Sequence, residues 1–106
     1  MEQNKVFRLL GLATRAGKIS FGYESVVDTM QKSKAKIVII AEDASERTKR
    51  NIERIANDCN VPVKIYGNIE TLSKSIGKEN KAVIAIKDNN FAKEILKIIN
   101  GGEVIG

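Results

Sequence analysis

Apolar residues recur at intervals of three and four near the start of the chain, which indicates two helices with one buried side each. In the first segment these residues are Val6, Leu9, Leu10 and Ala13. In the second segment they are Tyr23, Val26, Val27 and Met30. Gly17 is suited to end the first helix, because glycine readily adopts the left-handed conformation that follows a helix. Residues 18–20, between the two segments, are expected to form a short strand.

Three later apolar runs predict strands. The runs are KIVIIA at 36–41, VPVKIY at 61–66 and AVIAI at 82–86. An uninterrupted run rich in β-branched residues is typical of a strand that is buried on both faces. Pro62 fits the beginning of its strand, where the missing amide proton removes no ladder hydrogen bond.

Three further helices are predicted from the remaining periodic segments. They cover residues 45–59, 69–77 and 89–100. Ser45 is expected to cap the first of these helices, because a serine hydroxyl accepts a hydrogen bond from an otherwise unpaired amide. Asn89 or Asn90 is expected to cap the last helix for the same reason. Gly77 and Gly101 are suited to end the second and the third.

The alternation of strands and helices determines the predicted fold. A chain of 106 residues fits one domain, and no repeat or linker divides residues 1–106. Alternating elements favour helices on both faces of a sheet. We therefore predict an α/β fold, a three-layer α/β/α sandwich around a four-stranded sheet that is mostly parallel or mixed.

Composition narrows the classes of function. Lysine and arginine number 18 against 13 acidic residues, and the resulting net charge of +5 favours a polyanionic partner. The chain has no histidine, which excludes histidine-based acid–base catalysis and Ser-His-Asp triads. No glycine-rich phosphate loop is present, so no nucleotide cofactor is expected.

The single cysteine and the lengths of the apolar runs indicate the cellular compartment of the protein. Cys59 has no partner for a disulfide within the chain, and a reducing cytoplasm is the expected location. One cysteine without histidine also excludes a zinc site of the Cys/His kind. No apolar run approaches the roughly 20 residues of a membrane span, and the first residues lack the apolar core of a secretion signal.

Two carboxylates in the second helix are the first candidate for chemistry. Glu24 and Asp28 are four residues apart and share one side of the predicted helix. Such a pair performs acid–base work when burial drives the two pKa values apart. The pair lies away from the apolar stripe, so a solvated helix face is the competing interpretation.

A second group of acids follows two predicted strands. Glu42 and Asp43 come after the strand at 36–41, and Asp88 comes after the strand at 82–86. In a parallel sheet these carboxylates would meet at one edge, where they would suit Mg²⁺. The alternative is that they cap the helices at 45–59 and 89–100, where negative charge is favourable.

Cations form two candidate surfaces. Arg47, Arg50 and Arg54 share one face of the helix at 45–59, which fits either a solubilising outer face or phosphate contact. Other cations lie in predicted loops that would converge into one basic rim if the sheet were parallel. These are Arg15, Lys18, Lys32, Lys34, Lys36, Lys78 and Lys81. Aromatic residues are only 5% of the chain, so bases are not expected to stack on a sheet face.

Three segments of the chain resemble the superfamily of kink-turn-binding ribosomal proteins, the archaeal seven-Ae and eukaryotic thirty-e group. The segments are GYESVVDTMQKSKAKIVIIAEDAS, CNVPV and LSKSIG. The likeness covers residues 18–88, and its strongest single element is IVIIAEDA. FRLLGLATRAGKISFG and SIGKENKAVIAI are similar to the bacterial YlxQ branch of that superfamily. The resemblance implies the α/β/α fold, an RNA-binding role and no enzymatic activity.

The resemblance also implies an RNA-binding site at the start of the second helix. Kink-turn binders carry Gly-x-Asn-Glu-x-x-Lys there, and Gly22 matches the glycine. Glu24 stands in place of the asparagine, Ser25 in place of the glutamate and Asp28 in place of the lysine. In the family the asparagine and glutamate meet sheared G·A pairs, and the lysine meets RNA. A carboxylate at Glu24 has no amide donor, and Asp28 would face phosphate with the wrong sign.

Other family positions near RNA are kept. Lys36 and Glu42 match such positions, and the loop from Ile76 to Lys81 matches the loop that covers an extruded base. In this loop Ile76 and Gly77 are kept, whereas KENK is more polar than the usual Val-Pro end. The fold therefore carries over from the family, whereas standard kink-turn chemistry is not expected.

These interpretations predict a non-enzymatic, cytoplasmic protein that binds structured RNA in ribosome biology. The residues expected to contact RNA are Arg15, Lys18, Gly22, Glu24, Ser25, Asp28, Lys32, Lys36, Glu42, Arg47, Ile76, Gly77 and Lys78. The alternative is a protein-interaction module on a ribosome or transcription complex, in which the acidic face of the second helix meets a basic partner. A third hypothesis is a Mg²⁺-dependent phosphoryl-transfer domain. The leading interpretation requires no metal and no cofactor.

Overall fold

A four-stranded sheet lies between two layers of helices in the computed structural model, which describes residues 2–101 and the side chains of 5–101. Residues 1 and 102–106 of the predicted domain lie outside the described residues. The helices are α1 (Glu2–Arg15), α2 (Tyr23–Gln31), α3 (Glu46–Asp58), α4 (Ile69–Ser75) and α5 (Asn89–Ile99). The strands are β1 (Ile19–Phe21), β2 (Ile37–Ile40), β3 (Val63–Ile65) and β4 (Val83–Ile86).

The sheet is mixed, with the strand order β1-β4-β2-β3. β2 and β3 are parallel, whereas β4 runs antiparallel to both of its neighbours. Val83 at the start of β4 lies opposite Ile40 at the end of β2. The chain therefore enters β4 at the end of the sheet where β2 and β3 finish. The segment containing α4 does not return the chain to the opposite end of the sheet. The mixed alternative is confirmed, and a mostly parallel sheet does not form.

The two central strands hold the core together. Every residue of β2 and of β4 is buried, as expected for apolar runs that are covered on both faces. α1 packs against α4 and α5, whereas α2 packs against α3 and against the sheet. The helices thus form two separate layers, and the predicted α/β/α sandwich is confirmed. In the part of the chain that the structure describes, no helix is long and apolar enough to cross a bilayer.

Side-chain caps fix the starts of the helices. The Ser45 hydroxyl accepts a hydrogen bond from the Thr48 amide (3.1 Å), which confirms the predicted cap of α3. The cap of α5 is Asp88, whose Oδ2 accepts from the Phe91 amide (3.0 Å). The prediction of Asn89 or Asn90 in this role is wrong, because α5 begins one residue earlier and Asn89 is already helical. Asp88 therefore caps α5. For this residue, the structure agrees with the capping role that the sequence offered as the alternative to a metal site.

Removing the cap of α5 is expected to lower stability, whereas removing its neighbour is not. Asp88→Ala should reduce the free energy of unfolding by about 1 kcal/mol, because the Phe91 amide loses its acceptor. Asn89→Ala is the matched control and should change it by less than about 0.5 kcal/mol. Urea denaturation followed by circular dichroism measures both values. A larger loss for Asn89→Ala than for Asp88→Ala would contradict the assignment of the cap.

Candidate nucleic-acid interface

The predicted basic residues do not form one rim, because β4 is antiparallel. The Lys87 amide donates to the Lys18 carbonyl (2.8 Å), and the Lys36 amide donates to the Ile86 carbonyl (2.8 Å). These bonds place the starts of β1 and β2 beside the end of β4. Lys18, Lys36 and Lys87 therefore share one end of the sheet, which we call the basic end.

The opposite end of the sheet gathers three other segments. The Gly22 amide donates to the Val83 carbonyl (3.0 Å), and the Ala41 amide donates to the Ala82 carbonyl (2.9 Å). The start of α2, the β2–α3 turn and the α4–β4 loop consequently lie side by side. We call this surface the loop edge. It lies about 20 Å from the basic end, since six residues of extended chain separate Lys36 from residue 42.

The structure thus divides the residues that the sequence assigns to one RNA surface. Those at the loop edge are Gly22, Glu24, Ser25, Glu42, Arg47, Ile76, Gly77 and Lys78. Those at or beside the basic end are Arg15, Lys18, Lys32 and Lys36. Asp28 lies between the two groups on α2, where its carboxylate pairs with the Lys32 ammonium at 3.1 Å.

The α4–β4 loop is held in place by one buried hydroxyl. Ser73 is 3% exposed, and its Oγ accepts from the Lys81 amide (2.7 Å) and donates to the Lys81 carbonyl (3.2 Å). The Lys78 amide donates to the Ser73 carbonyl (2.8 Å). Both halves of the loop are therefore fixed to the last turns of α4, and the loop needs no ordering before it meets a ligand.

Two lysines of this loop reach across to β1. The ammonium of Lys78 lies 5.1 Å from the centre of the Phe21 ring, and that of Lys81 lies 5.4 Å from it. Such cation–π contacts are worth about 0.5–1 kcal/mol each at exposed sites. They concentrate positive charge beside Gly22, at the point where α2 begins.

Two hydrophobic side chains behave differently from the sequence-based expectation. Ile76, expected to contact RNA, is 3% exposed and belongs to the core. It offers no surface to a ligand, because it turns inward at the end of α4, just before Gly77. Tyr23, placed in the buried stripe of α2, is 40% exposed.

Tyr23 is the aromatic residue of the loop edge that the periodicity missed. It is the first residue of α2, and the buried stripe begins only at Val26. Its position directly after Gly22 was the available signal, since the first residue of a helix often lies outside the packed interface. An exposed tyrosine ring at this place is suited to stack on a base.

The acids of the two sheet ends do not converge. Asp43 Oδ1 accepts from the Ile69 amide (2.8 Å) and so supports the start of α4 rather than that of α3. Asp88 lies at the opposite end of the sheet, because β4 is antiparallel to β2. Among the described residues, no group of three or more acidic, cysteine or histidine side chains is placed to hold a metal ion. The three carboxylates of the magnesium hypothesis cannot share one ion.

The remaining charged candidates are all exposed. Glu24 and Asp28 lie on the open face of α2, as the solvated interpretation predicts. Arg47, Arg50 and Arg54 are exposed on α3, and Arg47 is closest to the loop edge because it lies in the first turn. The loop edge thus presents cations, acceptor carboxylates and the exposed ring of Tyr23.

The fold occurs in other proteins of known structure. A Bacillus halodurans protein of unknown function has a TM-score of 0.87 and 35% sequence identity, over 91% of this chain and 97% of that one. A 15.5 kD RNA-binding protein of Giardia lamblia has a TM-score of 0.78, over 99% of this chain and 90% of that one. Its sequence identity is 18%, so this likeness concerns the fold alone. The fold therefore defines a class of small α/β sandwiches.

The chain belongs to the ribosomal protein L7Ae/L30e/S12e/Gadd45 family, whose model matches residues 4–96. It is also similar to the RNA-binding protein YlxQ of Bacillus subtilis, with 36% identity over 94 residues. That alignment covers 89% of this chain and 94% of the relative. The resemblance seen in the sequence is confirmed for the family and for its YlxQ branch.

Loss of the Ser73 hydroxyl is expected to release the α4–β4 loop. Ser73→Ala should lower the free energy of unfolding by about 1–2 kcal/mol, because the amide and carbonyl of Lys81 lose their partner. Ser75→Ala is the matched control, since that hydroxyl bonds only to the Leu72 carbonyl of its own helix. Amide hydrogen exchange should show faster exchange at Lys81 in Ser73→Ala alone. Unchanged exchange at this amide would refute the role of Ser73 in holding the loop.

Proposed function

We propose that this protein is a non-enzymatic RNA-binding protein of the cytoplasm that acts in ribosome biology and contacts structured RNA with its loop edge. The observation that carries the proposal is the convergence of three segments at this edge in a member of the L7Ae/L30e family. These are the segments that the family resemblance assigns to RNA. The YlxQ relative of Bacillus subtilis is itself an RNA-binding protein, which supports the same assignment.

The cations of the loop edge neutralise phosphates. Lys78 and Arg47 are exposed, and Lys81 is half-buried with its ammonium beside the same Phe21 ring as that of Lys78. Phosphate contacts set the position of a protein on RNA and make binding dependent on salt. The α4–β4 loop is already ordered, so this part of the surface pays little conformational entropy on binding.

Gly22 and Tyr23 suit close contact with nucleotides. Gly22 has a φ of 88°, which favours glycine, and a side-chain carbon built there meets nothing within 4 Å. The space in front of this backbone is therefore open to an RNA strand. Tyr23 beside it stacks on an unpaired base, a contact worth about 1–3 kcal/mol.

The carboxylates of the loop edge restrict the RNA that fits. Glu24 and Glu42 supply only hydrogen-bond acceptors, which match the exocyclic amino groups of bases. Asp28 repels phosphate, and its pairing with Lys32 is exposed and offsets only part of this charge. We therefore infer a target other than the standard kink-turn.

The side chains of the loop edge support a binding role rather than catalysis. The chain has no histidine, and the carboxylates of Glu24 and Glu42 at the loop edge are exposed. These groups suit binding and leave no nucleophile paired with a base.

Crosslinking in cells tests whether the loop edge binds RNA. Ultraviolet crosslinking followed by sequencing should recover ribosomal or other structured RNA with the unaltered protein. The double variant Lys78→Gln with Lys81→Gln should recover several-fold less, because two phosphate contacts are lost. The matched control, Lys93→Gln with Lys97→Gln, changes the net charge equally on exposed positions of α5 and should recover as much as the unaltered protein.

The alternative function predicts a different result. Recovery of ribosomal or transcription proteins with no RNA above background would support a protein-interaction module instead. Equal recovery from both double variants would show that the loop edge is not the RNA surface.

Charge substitution on α2 tests the inference about the kink-turn. The unaltered protein is expected to bind a standard kink-turn in the micromolar range or more weakly in a gel shift at physiological salt. Glu24→Asn with Asp28→Lys should tighten binding at least tenfold, because the amide donor and the cation of the family motif are restored and repulsion of several kcal/mol is removed.

A control with the same change in net charge separates this effect from general attraction. Glu53→Asn with Asp58→Lys alters two exposed positions of α3 and should leave the kink-turn affinity close to that of the unaltered protein. Nanomolar binding of the kink-turn by the unaltered protein would overturn the interpretation of Glu24 and Asp28.

A further inference from the structure

The basic end holds six cationic side chains, although it lies away from the loop edge. They are Arg15, Lys18, Lys32, Lys34, Lys36 and Lys87. The last turn of α1, the turn after α2 and the end of β4 supply them. The starts of β1 and β2 share this end of the sheet, and the antiparallel direction of β4 adds Lys87 to the cations beside them.

Three of these lysines line one cleft. The cleft has a volume of about 440 Å³ and lies between α2 and the edge strand β1, with Phe21 and Ser25 at its side nearest the loop edge. Lys32 and Lys34 border it from the turn after α2, and Lys87 borders it from the end of β4. The turn is fixed by backbone bonds from the amides of Ser33 and Lys34 to the last residues of α2.

Little negative charge opposes this cluster. Asp28 pairs with Lys32 at 3.1 Å, and the carboxylate of Asp88 accepts the amide of Phe91 at the start of α5. Among the described residues, the other five cations of the basic end make no ion pair. Unpaired cations held this close together favour a polyanion over a neutral ligand.

The chemistry of the basic end indicates nucleic-acid backbone rather than a protein or a lipid surface. The large hydrophobic side chains that are exposed among the described residues are Leu12, Tyr23 and Ile65, and none of them lines the cleft; its two large apolar side chains, Ile19 and Phe21, are half-buried. Protein hot spots and membrane-inserting surfaces require such apolar anchors. Lysine acts as a mobile point charge, which suits phosphates and reads no base sequence.

We propose that the basic end is a second, sequence-independent phosphate-binding surface that holds a stretch of RNA backbone distinct from the one at the loop edge. This inference rests on the proposed RNA-binding function. Lys36 and Glu42, at the two ends of β2, are about 20 Å apart, which is too far for one phosphate to contact both ends. The protein therefore binds RNA at two places. The loop edge selects the target, and the basic end adds affinity that depends on salt.

Three double variants with the same loss of charge test this surface. The basic-end variant is Lys34→Gln with Lys36→Gln, the loop-edge variant is Lys78→Gln with Lys81→Gln, and the α5 variant is Lys93→Gln with Lys97→Gln. Lys34, Lys36, Lys93 and Lys97 are exposed and unpaired, so these proteins should fold like the unaltered one, which urea denaturation checks. Fluorescence anisotropy then measures binding to a mixed-sequence RNA duplex between about 50 and 200 mM KCl.

The basic-end variant should bind the duplex several-fold more weakly, and the slope of log K against log salt should fall by about 1 to 2. The α5 variant should keep the affinity and the slope of the unaltered protein. Combining the basic-end and loop-edge substitutions should give additive losses, because separate surfaces contribute independently.

The remaining outcomes distinguish the two proposals. If only the loop-edge variant weakens binding, the second surface is refuted while the proposed function survives. If the unaltered protein binds neither the duplex nor RNA in cells, both proposals fail. Equal losses from the basic-end and α5 variants would show an effect of net charge alone. Loss of binding to phosphatidylserine vesicles with unchanged RNA affinity would assign the basic end to a lipid surface and refute the proposal.

Discussion

The burial of β2 against β4 is the constraint on which the other features depend. All eight residues of these strands are buried, and their register places Ile37 opposite Ile86 and Ile40 opposite Val83. Because both faces of these strands are buried, a shift by one residue would exchange the side chains that pack against the two helix layers, so close packing specifies the register. Once it is set, the ends of the central strands determine where every loop leaves the sheet. The core thereby decides which charged residues become neighbours.

The balance of charge at the loop edge distinguishes this chain from the family motif that it resembles. Gly22 is present, whereas Glu24 and Asp28 replace an amide and a cation in that motif. The positive charge instead comes from Lys78 and Lys81, which lie over the Phe21 ring in a loop held by Ser73. In the proposed function, the same edge attracts a polyanion and rejects RNA that needs donors from α2. Selectivity in this arrangement comes from repulsion as much as from attraction.

The sequence was sufficient to locate the helices and strands, because their periodicity depends on residues that are close in the chain. The sequence was insufficient for features that depend on contacts between elements distant in the chain, such as strand direction and side-chain exposure. The direction of β4 follows from where α4 delivers the chain, and no local pattern encodes this. Tyr23 was assigned the wrong exposure, because periodicity does not show where a helix passes beyond the sheet. Ile76 was assigned to the RNA surface by the family resemblance, which does not show whether a side chain is buried. The α5 cap was misplaced by one residue, since Asp88, Asn89 and Asn90 all suit that role.

The outer strands of the sheet have a consequence for self-association. β1 and β3 each contain three residues, so each offers few unpaired backbone groups to a second chain. Pro62 precedes β3 and Lys64 lies within it, and both kinds of residue discourage strand addition. β1 is bordered by lysines at both of its ends, which would repel the same strand of another copy. These short edges, flanked by lysines and a proline, protect the apolar central strands from pairing with the strands of another copy.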